Sequence, residues 1–189
     1  MCYRQLGIRS SDTSNARGAA VMRRLVYLPG VFDPGISQRR YMRIVERDFD
    51  INAFLQRPLF AHLATVSEEG PCESPVWFLW EDHALWLIAD EHSSYAKRLE
   101  KDSRAAVGIV DFDLERGFLQ HVGMRGTARV FPMDKQRLQR LLARYLGPES
   151  EWDDWFKQNV IDRQSRMIQI MPSTVVARDQ SYFRGKLRD

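Results

Sequence analysis

The most constraining feature of this sequence is a series of short segments rich in apolar and β-branched residues, each bounded by turn signals. Branched and aromatic side chains suit a pleated surface, so such segments are typical of β-strands. They predict strands over 60–66, 74–80, 84–89, 105–112, 119–131, and 167–171 with 174–177, the last pair bent by Pro172. The first three are expected to pair as a meander. Six or so short antiparallel strands predict a small barrel.

Apolar residues at helical spacing predict four short helices among these strands, over 48–57, 93–102, 134–146 and 151–158. The first is expected to be capped by Asp48 or Asp50 and ended by Pro58. The third is the clearest, since its leucines recur at i, i+3 and i+4, and it is expected to end at Gly147. The sequence therefore predicts a mainly β fold with α additions.

Composition excludes several classes of protein. Hydrophobic residues make up 44% and charged residues 28%, which are ordinary values for a globular chain. No apolar run approaches the roughly 18 residues that span a bilayer, so no membrane association is expected. The two cysteines, Cys2 and Cys72, form no C-x-x-C pair, which argues against a disulfide scaffold or thiolate zinc site and predicts a cytoplasmic setting. The four histidines lack metal-ligand spacing, so no metal site is expected.

The basic charge is concentrated at the N-terminus. The chain has a net charge of +3, yet residues 1–43 alone hold eight arginines against two aspartates. The rest is mildly acidic, so a nucleic-acid partner is not expected. We expect a basic N-terminal extension over 1–43, a barrel domain over 44–180 and a tail over 181–189. Four interpretations of the extension stay open: a flexible arm, a segment packed on the domain or on a partner subunit, a start codon placed before Met42, and, least favoured, an organelle transit peptide.

An ordered set of motifs in the body resembles the pyridoxamine phosphate oxidase-related, FMN-binding split-barrel superfamily. The motifs are Phe60–Val66 with Gly70–Pro71, Ser74–Phe78, Ser93–Leu99 with Asp102–Arg104, Met124–Val130 and Ile170–Val176. The resemblance implies a six-stranded antiparallel split β-barrel with helices between strands. It also implies a homodimer that holds FMN in a groove between its subunits.

The resemblance places the flavin ring along Ser74, Pro75, Val76 and Trp77, which would bind it through main-chain groups. Pro75 cannot donate a ladder hydrogen bond, so it marks an edge strand or an irregularity that leaves neighbouring backbone groups free. Trp77 is equally well explained as a simple core residue.

The phosphate of FMN is expected at the start of the helix that follows. Ser93, Ser94 and Lys97 would supply hydroxyls, free backbone N–H groups and an ammonium at one helix end, as a phosphate dianion requires. The alternative is that Ser93 only caps the helix and Lys97 is a solvated charge. The sequence departs from the family pattern here, because Tyr95 stands at the usual basic position. Lys97 and two arginines, Arg98 and Arg104, are the candidate substitutes.

The long later strand carries the last predicted contacts. The resemblance implies that Gln120 or His121 reaches the flavin from the other side, although a lone histidine in a strand is also well explained as structural or exposed. Gly123 and Gly126 within one strand predict a bulge or the close approach of another backbone.

Function follows from the resemblance and from what the sequence lacks. It shows no P-loop, dinucleotide-binding or G-x-S-x-G motif, and no side-chain acid–base pair stands out, which fits a protein that orients a flavin. The end of the chain resembles the tail of true pyridoxamine phosphate oxidases, but Lys186 and Arg188 replace its arginine and histidine. We therefore expect an FMN-dependent oxidoreductase that does not act on pyridoxamine phosphate. The alternatives are a non-catalytic flavin, deazaflavin or haem-binding stress protein, and a ligand-free interaction module.

Overall fold

The computed structural model describes residues 25–27, 41–90, 92–159 and 165–182. Most of the basic extension and the last seven residues of the tail, including Lys186 and Arg188, lie outside these ranges. The boundaries drawn at residues 43 and 180 therefore stay predictions.

Nine strands and four α-helices lie within the described ranges. The strands are β1 (Leu25–Tyr27), β2 (Tyr41–Arg47), β3 (Ala61–Ser67), β4 (Gly70–Val76), β5 (Leu79–Glu81), β6 (Ala84–Ala89), β7 (Arg104–Asp113), β8 (Phe118–Pro132) and β9 (Arg166–Asp179). The helices are α1 (Ile51–Leu55), α2 (Ser94–Lys101), α3 (Lys135–Leu146) and α4 (Asp154–Asn159). Within the described part of the chain, none of these helices is long and apolar enough to cross a membrane.

The strands form one open sheet in the order β1-β2-β9-β8-β7-β3-β4, with the β5–β6 hairpin attached to β9. Most neighbours are antiparallel, whereas β2 and β9 are parallel. The predicted mainly β split barrel is confirmed. The expected count of six strands was too low for two reasons. β1 and β2 lie in or next to an arginine-rich stretch without strand-like alternation, and β5 spans only three residues.

The predicted meander of the first three strands is confirmed in its pairings but not in its continuity, because the middle strand, expected over 74–80, is broken into β4 and β5. β3 and β4 form a hairpin, but β5 pairs with β6, and β6 then pairs with β9. The chain leaves the ladder at Phe78, whose backbone N–H donates to the Tyr145 hydroxyl (3.1 Å). The same hydroxyl lies 3.2 Å from the Phe78 carbonyl. The Tyr145 side chain from α3 thus contacts the backbone groups of Phe78 that would otherwise bond to a neighbouring strand.

Local signals set the helix ends and the tight turns. The Asp50 carboxylate accepts the backbone N–H of Asn52 (2.9 Å) and so caps α1, as predicted. Asp134 caps α3 in the same way through the N–H of Arg137 (3.0 Å). The β5–β6 turn holds Asp82 and His83 at φ of 54° and 57°, the left-handed geometry that a two-residue hairpin requires.

Two hydrophobic clusters hold the elements together. The larger fills the curled sheet with side chains from nearly every strand and from α1 and α2, among them Leu63, Phe78, Leu87, Ile109 and Ile170. The smaller packs the leucine face of α3 against the outside of β5, β6 and the start of β9. Each fully buried leucine contributes about 1.5–3 kcal/mol. At the far end of the sheet, β4 pairs only with β3 among the described residues.

Candidate functional site

The predicted flavin strand is the edge strand β4. Its one partner in the described part of the chain is β3, with Pro75 opposite His62 and Ser74 opposite Leu63. The Val76 side chain is buried in the core. The edge position predicted from Pro75 is confirmed, and the backbone groups on the open side of β4 have no strand partner among the described residues.

Trp77 directs its ring toward α3. The ring stacks on Tyr145 with the centroids 4.7 Å apart and the planes within 4° of parallel. Tyr145 is itself fixed, since its hydroxyl donates to the Leu59 carbonyl (2.7 Å), and burial raises the pKa of this phenol. One face of the Trp77 ring therefore packs against α3, and the flavin contact through its main chain stays a prediction.

The hydroxyl of Ser93 belongs to the turn before α2. It donates to Asp90 Oδ1 (2.6 Å) and accepts the Asp90 backbone N–H (3.1 Å). Ser93 is the N-cap residue of α2, as one interpretation expected, but its side chain makes no capping hydrogen bond. The first backbone N–H groups of a helix have no partner within the helix, and the Ser93 side chain does not bind those of α2.

The basic residue that the structure brings to Ser94 is Arg98, one turn further along α2. The guanidinium donates through Nη1 to Ser94 Oγ (2.8 Å) and through Nε to Thr65 Oγ1 (2.8 Å). Thr65 is buried on β3, so this pair of bonds ties the start of α2 to the strand beside β4. Lys97 is exposed and makes no hydrogen bond or ion pair within the described ranges. Arg104, the other candidate substitute, is paired with Asp102 (2.5 Å).

Gln120 and His121 lie on β8, two strands away from β3. The amide of Gln120 donates to Asp179 (3.3 Å). The His121 ring lies over Gly123, where a Cβ atom would stand 3.1 Å from the ring carbon Cε1. Burial, and less strongly the charge of Arg178, lower the pKa of the His121 imidazole. Both effects favour the neutral form of this imidazole.

The two halves of the predicted flavin site are apart within one chain. From Val76 on β4, the sheet runs through Ala61 on β3 and Ile109 on β7 to Val122 on β8, the residue next to His121. Three strand spacings amount to about 14 Å. The structure thus places residues 74–77 at the β4 edge, and it places Gln120 and His121 on β8, elsewhere on the sheet.

The structure also shows an acid–base pair that the sequence analysis missed. His62 Nδ1 lies 2.7 Å from Glu73 Oε1, and both side chains are more than half exposed on the outer face of the sheet. The two residues are diagonal neighbours across the β3–β4 hairpin. The turn at Ser67–Gly70 sets the register of the hairpin, and this register places His62 diagonally opposite Glu73.

Apolar side chains occupy one end of that outer face. Phe60, Val110 and Phe112 are 57%, 43% and 53% exposed. They follow one another across β3 and β7, and Phe60 continues into the Tyr145–Trp77 stack, with a ring separation of 6.4 Å from Tyr145. Such a contiguous apolar patch indicates an interaction surface. Within the described ranges, no group of three or more metal-ligating side chains comes together.

These features define a split-barrel protein with a polar cluster where a helix begins beside an edge strand. The sequence matches the pyridoxamine 5′-phosphate oxidase family over residues 49–179, and the chain belongs to that family. No curated protein matches the sequence.

Several solved structures share the fold. The conserved hypothetical protein Rv2991 from Mycobacterium tuberculosis is 20% identical with a TM-score of 0.59, over 76% of this chain and 96% of its own. An F420 reductase is 22% identical with a TM-score of 0.53, over 68% and 98%. HutZ, the haem storage protein from Vibrio cholerae, is 16% identical with a TM-score of 0.52, over 65% and 87%. At these identities the likeness shows the fold alone.

Proposed function

We propose that this chain binds FMN and acts as a flavin-dependent oxidoreductase on a small molecule other than pyridoxamine phosphate. The observation that carries the proposal is the cluster of Ser94, Arg98 and Thr65, which joins the start of α2 to the strand beside the free edge β4. This cluster supports a phosphate site one strand away from an open strand edge, which is the arrangement that binding of a flavin mononucleotide requires.

The phosphate fits the start of α2 on chemical grounds. Arg98 supplies a guanidinium already oriented by two hydrogen bonds, Ser94 a hydroxyl and Lys97 an exposed ammonium. The free N–H groups of the first helical turn add partial positive charge. The Asp90 carboxylate opposes an anion here, but it is engaged by Ser93 and by the backbone N–H of His92 (3.1 Å). The guanidinium of Arg98 and the ammonium of Lys97 therefore favour phosphate, although Asp90 and Glu91 just before the helix carry negative charge.

The ring of the flavin fits along β4, where backbone donors and acceptors face outward from Ser74 to Val76. Pro75 interrupts the donors at one position and leaves its neighbours for the polar edge of the ring. A bound flavin supplies the hydride or electron chemistry, while the protein holds and orients it. The changed tail residues Lys186 and Arg188 support a substrate other than pyridoxamine phosphate.

A homodimer with the cofactor between its subunits is part of the proposal. Strand β8 lies three strand spacings, about 14 Å, from β4 within one chain, so we infer that Gln120 and His121 reach a flavin on β4 only from a second copy. The exposed apolar residues Phe60, Val110 and Phe112 give that copy a surface to pack against. We place the dimer in the cytoplasm, where a free thiol such as Cys72 persists.

The phosphate site is tested by fluorescence titration of FMN and of riboflavin, which lacks the phosphate. A hydrogen bond to a charged group contributes about 1.5–3 kcal/mol, so Arg98→Ala is expected to weaken FMN binding about 10- to 100-fold. Riboflavin affinity is expected to stay unchanged. Lys101→Ala is the matched control, because it removes an exposed cation from the same helix, paired loosely with Glu68 (3.6 Å). Equal FMN affinity in wild type and Arg98→Ala contradicts this site.

A further inference from the structure

A buried hydroxyl on β3 contacts the polar cluster at the start of α2. Thr65 is 2% exposed, and it is one of three buried polar residues in the described part of the chain, with Ser165 and Gln169. Its neighbours on the same face of β3, Ala61 and Leu63, are fully buried apolar residues. Because a buried polar group is destabilising unless it is hydrogen-bonded, this hydroxyl requires a partner.

That partner is the guanidinium of Arg98. Arg98 Nε donates to Thr65 Oγ1 at 2.8 Å, across 33 residues of sequence, and this is the one hydrogen bond of the Thr65 side chain within the described ranges. Valine has nearly the shape of threonine and suits a strand equally well, so packing alone gives no reason for a hydroxyl at this position. The contact with Arg98 gives that reason.

Two hydrogen bonds fix the plane of the Arg98 guanidinium. Nε is bound to Thr65 and Nη1 to Ser94 Oγ, each at 2.8 Å. Nη2 carries two N–H groups and bonds to no described residue. A side chain that is already ordered loses less conformational entropy when it binds an anion. The bond to Thr65 therefore presents free donors in a set direction before any ligand arrives.

The two hydroxyls that bind Arg98 differ in their access to a ligand. Ser94 is exposed at the start of the helix, where a bound phosphate can contact it directly. Thr65 is buried, so it acts on such a ligand only through Arg98. The planar fork of arginine allows this arrangement, because one guanidinium bonds to two hydroxyls and still has donors to spare.

We propose that Thr65 is a positioning residue of the phosphate site, which holds the Arg98 guanidinium so that Nη2 faces a phosphate monoester bound at the start of α2. The inference rests on the proposed function, since FMN is such a monoester. It assigns part of the affinity for FMN to a core residue that does not touch the cofactor.

The positioning role is first tested without any ligand, by nitrogen-15 relaxation of the arginine Nε–H groups in the full chain. We expect the Arg98 Nε–H, assigned through Arg98→Lys, to be well ordered, and we expect Thr65→Val to make it mobile. Arg129 is the internal control, because its side chain is exposed and makes no hydrogen bond to a described residue. Equal mobility of Arg98 and Arg129 in the wild type overturns the inference whatever the protein binds.

The second test measures the affinity for FMN and for riboflavin by fluorescence titration. Thr65→Val is expected to weaken FMN binding about 3- to 10-fold, the effect of one hydrogen bond, and to leave riboflavin binding unchanged. Thr65→Ser keeps a hydroxyl and is expected to restore most of the FMN affinity. Thr127→Val is the matched control, because it removes a hydroxyl from an exposed position on β8.

A double variant separates positioning from a general effect on the fold. In an Arg98→Ala background, Thr65→Val is expected to cause no further loss of FMN affinity, because the side chain that it positions is gone. An equal loss in both backgrounds overturns the inference. So does wild-type FMN affinity in Thr65→Val when Arg98→Ala binds FMN weakly, and in both cases the proposed function stands. A wild type that binds no FMN contradicts the proposed function and this inference together.

Discussion

At the scale of single residues, two glycines of neighbouring strands have opposite tolerance for a side chain. A Cβ atom at Gly126 would lie 2.0 Å from the backbone oxygen of Met171, at the point where the β8–β9 register shifts beside Pro172. The bulge or close approach predicted from this glycine is confirmed. At Gly108 the nearest atom to such a Cβ is 3.9 Å away, which is ordinary contact.

Gly126→Ala is expected to lower the free energy of unfolding by about 1–3 kcal/mol or more, because two backbones must separate to admit the methyl group. Gly108→Ala is expected to stay within about 0.5 kcal/mol of wild type. Urea denaturation followed by tryptophan fluorescence measures both. Equal stability of the two variants would show that the strands do not approach each other as closely as described.

At the scale of elements, an ion-pair network fastens α3 to the β5–β6 hairpin. Glu81 accepts from Arg140 Nε (2.6 Å) and from Arg137 Nε (3.2 Å). The Arg137 guanidinium also lies over the Trp86 ring, 3.6 Å from its centroid. The hydrogen bond from Arg140, helped by Arg137, holds the pKa of Glu81 below its ordinary value of 4.5.

A lowered carboxyl pKa contributes stability that is present above the ordinary pKa and is lost as the pH falls through the lowered value. Glu81→Gln is therefore expected to cost about 0.5–1.5 kcal/mol at pH 7. The difference from wild type is expected to shrink as the pH falls below 4.5. Denaturation across this range measures it, with the exposed Glu115→Gln as control. A difference that stays constant with pH would contradict the network.

Elements were predictable from the sequence where their cause is local. The caps at Asp50 and Asp134 and the leucine spacing of α3 lie within a few residues of the helices they define. The break between β4 and β5 depends on Tyr145, 67 residues away from Phe78, so no local pattern shows it. Two other features depend in the same way on which strands are neighbours. One is that Arg98, rather than Lys97, contacts Ser94 and Thr65. The other is the pairing of His62 with Glu73.

At the scale of the whole molecule, the proposed flavin site is complete only when two copies of the chain form a dimer. The double variant Phe60→Ser with Val110→Ser is expected to run as a monomer and to hold FMN more weakly, because it removes two large apolar side chains from the packing face. Val66→Ser is the control, since this exposed residue lies about 20 Å along β3 from Phe60. Light scattering with FMN titration measures both properties. A wild type that is monomeric and still binds FMN would contradict a site shared between two subunits.

The central claim is that this split barrel holds a flavin, and the visible absorbance spectrum of the purified full-length protein tests it most directly. Spectra are taken before and after addition of FMN and gel filtration. The account predicts flavin bands that stay with the protein and are released as FMN by heat. A colourless protein that FMN cannot colour, or one that shows the Soret band of haem, would contradict it.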